Sequence, residues 1–172
     1  MHEPSTKSLP VLVLGLGNLL LRDDAIGLRL VSELAARHAG DGRIEFVDGG
    51  TQGLALLALL ADRPAVLLLD AVQLGAAPGT VHHLADVRQR PQRGNAGGRG
   101  GAHQSNAGDL LLTSLLLGQL PSRVALVGIE PAVVRTGIEL SAAVLAAVPA
   151  AADRADQVLQ ALLPAEVQPC TS

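Results

Sequence analysis

Aromatic side chains are almost missing from this chain, which has no Trp, no Tyr and a single Phe, Phe46. Stacking on nucleobases is therefore closed to it, and the core has to be assembled from Leu, Val, Ile and Ala. Net charge is −3, with no basic run that would follow a phosphate backbone. Both facts exclude nucleic acid as an expected partner. The nearest thing to a basic cluster, Arg88, Arg90, Arg93 and Arg99, lies in a glycine-rich stretch that reads as a solvated loop. Cys170 is the one cysteine, which rules out an internal disulfide and a thiolate metal cluster. Long apolar runs are also lacking. The richest, residues 54–69, is broken by Asp62-Arg63-Pro64 and is too short on either side to span a bilayer. Residues 1–10 are polar and lead toward Asn18 and Arg22-Asp23-Asp24 without a small-residue cleavage site. No targeting segment is read there, and the cytoplasm is the expected location.

What the chain does have is hydrophobic residues, 48% of the total, arranged in short runs. At 172 residues it suits a single domain with a full core, with residues 1–9 and 164–172 expected as flexible termini. The stretch that organises the rest is VLVLGLGNLLLRDDAIG, residues 11–27. Its apolar run Val11-Leu12-Val13-Leu14 stops at Gly15, turns through Gly-Leu-Gly-Asn and reaches Asp23 and Asp24 just before an amphipathic segment. That order is a buried parallel strand, a tight turn and a helix. Helical spacing continues through residues 25–38, where Ile26, Leu30, Val31, Leu34 and Ala35 share one face. Further helices are expected at 54–61, apolar nearly all round and so well covered, at 109–117, and at the C-terminal end. There Ala151, Ala155, Val158, Leu159 and Leu162 form a stripe, with Pro149 in a first turn or at a kink. Strands are expected at 11–14, 44–47, 65–69, 80–84 and 124–127, the fourth at an edge. Strands alternating with helices give an α/β fold: a three-layer structure with a mostly parallel, twisted five-stranded sheet and helices on both faces.

In such sheets ligands bind beyond the carboxyl ends of the strands. Asn18, Asp23 and Asp24 follow the first strand, Asp48 and Thr51 the second, and Asp70 the third, while His103 stands past the glycine-rich stretch 86–102. Carboxylates and an imidazole meeting in one crevice suit a borderline divalent metal such as zinc or nickel, with positions open to substrate. Each also has a plain structural use. Asp23 or Asp24 suits a helix cap, and Asp48-Gly49-Gly50-Thr51 suits a turn capping the second helix. Asp70 is different, because an idle charge directly behind Val66-Leu67-Leu68-Leu69 would be expensive. His82 and His83 are adjacent in a strand and so point to opposite faces. A dinucleotide-binding module is an alternative, since GLGNLL has two glycines of that fingerprint, but Leu20 stands where the third belongs. No GxSxG nucleophile elbow is present, and a single DGGT does not make an aspartic-protease pair.

Taken together, Gly15 through Gly27, Asp48-Gly49-Gly50-Thr51-Gln52-Gly53, Leu69-Asp70-Ala71 with Pro78-Gly79-Thr80, and His103-Gln104 resemble the hydrogenase maturation endopeptidase family. Members of that family remove a C-terminal peptide from the large subunit of nickel-iron hydrogenases after nickel insertion. The resemblance implies that Asp24, Asp70 and His103 form the metal-binding and catalytic set. It also implies that nickel is supplied by the substrate and that the partner is the large-subunit precursor. A non-catalytic chaperone for that precursor is the other alternative.

Overall fold

The computed structural model describes residues 10–85 and 106–164. Strand β1, Val11–Leu16, is buried along its whole length. The chain then makes a 3-10 turn, Arg22–Ala25, and enters helix α1, Ile26–Arg37. Strand β2 is Ile44–Gly50, followed by a 3-10 turn Gly53–Leu56, a short α2, Leu57–Leu60, and strand β3, Ala65–Ala71. Strand β4, Val81–Leu84, precedes α3, Asn106–Leu116, then β5, Arg123–Ile129, and α4, Ala142–Leu162. The order across the sheet is β2-β1-β3-β5-β4, parallel except where β4 runs antiparallel to β5 at the edge.

Alternation along each strand divides the core in two. Val13, Leu67, Leu69 and Val127 face α1 and α4, meeting Ile26, Leu30, Leu34, Ala151, Ala155 and Leu159. Leu12, Leu14, Leu68 and Leu126 face the other way, onto Leu56, Leu60 and Leu110. This is the expected three-layer α/β architecture. Each fully buried Leu or Ile contributes about 1.5–3 kcal/mol, so the core is aliphatic, with Phe46 packed at its margin. Among the described residues no helix is long and apolar enough to cross a membrane.

Three expectations need correction. The parallel strands run further than their apolar runs, because Asp48, Asp70 and Gly128 still pair in the ladder: Asp48 with Gly15 and Asp70 with Gly128. The 54–61 segment is not one well-covered helix. It divides into a 3-10 turn and one α-turn, and Leu54 is 56% exposed, because no further layer lies outside it among the described residues. Of the two places expected for Pro149 the first turn is excluded: it sits well inside α4, which starts right after its N-cap Ser141, whose side chain accepts a bond from the Val144 N–H. The proline faces solvent, so the ring stays outside the core. The terminal segments 1–9 and 165–172, and the arginine cluster at 88–99, lie outside the described residues.

Candidate functional site

The chain turns one way from β1 to β2 and the other way from β3 to β5, so a crevice opens where the carboxyl ends of β1 and β3 diverge. Glycines let the backbone close in there. A Cβ on Gly27 would strike the carbonyl oxygens of Leu16 and Leu69, so only glycine lets α1 lie this close to β1 and β3. Gly27 thus does the packing job of the fingerprint glycine that Leu20 replaces. Gly17, at φ +134°, lies against the Asp24 carbonyl, drawing the loop over the strand end.

Asp24 is half-buried and accepts a 3.0 Å bond from the Asn18 N–H. A dinucleotide phosphate would need such a loop N–H, and finds it taken by a negative group. Asp70 is 2% exposed. Its carboxylate accepts from the Ala71 N–H at 2.8 Å and, at 3.4 Å, from the Ala107 N–H in the first turn of α3. Burial pushes the Asp70 carboxyl up to about 7; those two N–H groups oppose the rise, and the Asp24 charge adds to it. The structure therefore places Asp24 within electrostatic range of Asp70. A cation would relieve both acids, and two carboxylates supply hard oxygen donors for it. Among the described residues no group of three or more His, Cys, Asp or Glu is arranged as a metal site. His103, the expected third ligand, lies outside the described residues.

The other candidates fall elsewhere. Asp48 and Thr51 are exposed, and Asp48 accepts from the Gly50 N–H within its own turn. It does not cap the second helix, because the 3-10 turn there starts from Gln52 with no side-chain cap. Neither Asp23 nor Asp24 caps α1, whose N-cap is Ala25, again without a side-chain bond. Asp23 instead turns inward, with no exposed surface, and receives the Ala132, Val133 and Ser141 N–H groups and the Ser141 hydroxyl at 2.6–2.9 Å. Burial alone would raise its pKa, but the Ser141, Val133 and Ala132 bonds together hold it below the ordinary carboxylate value. His82 and His83 do diverge. His82 Nε2 meets Glu130 at 2.9 Å, while His83 lines a shallow groove against α4 with Arg154 and Val158. Glu130, 5% exposed, also accepts from the Leu74 and Gly75 N–H groups and holds the loop after β3. Sequence reasoning misses it, although an acid directly behind a buried strand is the same signal that singles out Asp70.

An open α/β domain with two neighbouring acids at its strand ends has the makings of a hydrolytic or metal-contacting site. A family model described as hydrogenase maturation protease matches residues 28–158. Hydrogenase 2 maturation protease of Escherichia coli K12 is 37% identical over 153 residues, which cover 88% of this chain and 90% of that one. The HupD hydrogenase expression/formation protein of Rhodobacter capsulatus is 38% identical over 128 residues, 74% of this chain and 60% of that one, so the chain spans about three fifths of that relative's length. Among solved structures, the hydrogenase maturating endopeptidase HybD from E. coli superposes with a TM-score of 0.74 at 32% identity, covering 88% of this chain and 93% of that one. The chain belongs to the hydrogenase maturation protease family.

Proposed function

We propose that this protein is a cytoplasmic endopeptidase that removes the C-terminal peptide of a nickel-iron hydrogenase large-subunit precursor once nickel has been inserted. The observation that carries this reading is the pair Asp24 and Asp70, one of them buried with its pKa raised to about 7, at the strand ends of a chain from the maturation protease family. Nickel is part of the substrate here. It arrives in the precursor, meets the oxygens of Asp24 and Asp70 and the imidazole of His103, and polarises the scissile carbonyl beside it. A carboxylate oxygen of the pair that the metal leaves free can accept the proton of the attacking water. The protein needs no serine or cysteine nucleophile of its own.

The test is to incubate nickel-loaded precursor with the protein and weigh the product. Loss of the C-terminal peptide is expected, with nickel-free precursor left intact. Asp70→Asn is expected to abolish cleavage while the circular dichroism spectrum stays native. Equal cutting of both precursors, or retained activity in the variant, would overturn the reading.

A further inference from the structure

The rim of the crevice beside Asp24 is built from two loops joined along their backbones. The loop after β1 makes a turn closed by Leu21 N–H to the Asn18 carbonyl at 3.0 Å, with Asn18 Oδ1 accepting from the Leu20 N–H at 2.9 Å. The loop after β5 lies against it. Gly137 N–H donates to the Leu20 carbonyl at 2.9 Å, Arg22 N–H to the Gly137 carbonyl at 3.0 Å, and Asp23 N–H to the Val133 carbonyl at 3.2 Å. Leu21 and Gly137 form a parallel bridge, and Arg22 Nε donates to the Glu139 carbonyl at 3.0 Å.

These bonds tie the two loops to each other and leave apolar side chains on the surface. The turn tip, a place for glycine, asparagine or serine, carries Leu19 at 60% and Leu20 at 64% exposure. Ile138, next to the Gly137 that bonds Leu20, is 78% exposed. Scattered exposed leucines need no explanation, but three large aliphatic groups on two loops bonded to each other do. The same Asn18 whose carbonyl closes the turn donates its N–H to Asp24, so the apolar rim and the acid pair are continuous.

We propose that Leu19, Leu20 and Ile138 form the docking surface for an apolar segment of the precursor flanking the bond to be cut. This rests on the protease reading above. The occupant is the substrate chain because the turn that presents Leu19 and Leu20 is bonded through Asn18 to Asp24 itself, so a peptide seated at Asp24 lies beside it. The leucines act by positioning and do not touch the reacting atoms.

The experiment compares Leu20→Ser, Ile138→Ser and Leu116→Ser, the last an exposed leucine on α3. Cleavage of nickel-loaded precursor is measured as KM and kcat. Binding of the same precursor is measured separately on an Asp70→Asn background. The rim substitutions are expected to raise KM and Kd about tenfold each, as loss of one leucine-sized contact does, with kcat unchanged. Leu116→Ser should change neither. Unchanged KM and Kd in the rim variants, or equal losses in Leu116→Ser, would overturn the proposal. So would a dimer of the protein that the rim substitutions dissociate, which would assign the surface to a second copy. If the wild type binds the precursor through the rim without cutting it, the protease reading fails and the docking surface stands.

Discussion

Asp70 keeps its proton in the folded chain up to about 7, whereas the same side chain ordinarily releases it at 3.8. Between those values the folded state binds more protons than the unfolded one, so the wild type loses stability as pH rises through that window. Asparagine cannot ionise. Relative to wild type, Asp70→Asn is therefore expected to gain about 2–3 kcal/mol in going from pH 5 to pH 8, read from urea midpoints in the presence of a chelator. A stability difference independent of pH would show that the folded carboxyl titrates normally. This acid is legible in the sequence because its burial follows from its immediate neighbours, Val66-Leu67-Leu68-Leu69. Glu130 carries the same signal, directly behind the buried run at residues 124–129. Asp23 does not: its burial depends on partners far along the chain, Ala132, Val133 and Ser141.

The contact of β1 with α1 sets the depth of the crevice, and it depends on Gly27. Any side chain there meets two carbonyl oxygens that belong to different strands, so the helix has to lift away from the sheet. Ile26, Leu30 and Leu34 would lift with it. Gly27→Ala is expected to cost about 3 kcal/mol or more, and to lower the melting temperature by about 6–12 °C in calorimetry. A Cβ added at Gly42 would have nothing within 4 Å of it, so Gly42→Ala should shift the transition by no more than about 2 °C. Similar losses in both would mean that helix propensity or chain entropy, rather than the close approach, governs this position. Helices with one apolar stripe, α1 and α4, can be read from periodicity, since a single buried face is written directly in the spacing of Ile26, Leu30 and Leu34. The 54–61 segment cannot. An all-apolar run says nothing about whether a further layer exists to cover it, and among the described residues none does.

Across the whole molecule, the loop after the first strand and the loop after the last are joined along their backbones and, at one buried point, through a side chain. Asp23 gathers Ala132, Val133 and Ser141 on its two oxygens, which ties residues 131–141 and the start of α4 to the beginning of the chain. The hydrogen bonds hold its pKa below 3.8 despite burial. The stabilisation it contributes is thus fully present above the ordinary carboxylate pKa and is lost as pH falls below it. Removing the carboxylate leaves several buried donors unpaired, so Asp23→Ala is expected to cost about 3–5 kcal/mol. Two readouts separate this from a simple cavity. Hydrogen exchange should quicken at the Val133, Gly137 and Ser141 amides more than at β3, because the clamp and not the sheet has been released. The variant should also lack the wild type's loss of stability on acidification below about pH 4 that comes from this group. Uniform exchange across the sheet, with the acid dependence unchanged, would show that packing and the backbone bonds between the two loops hold them without Asp23.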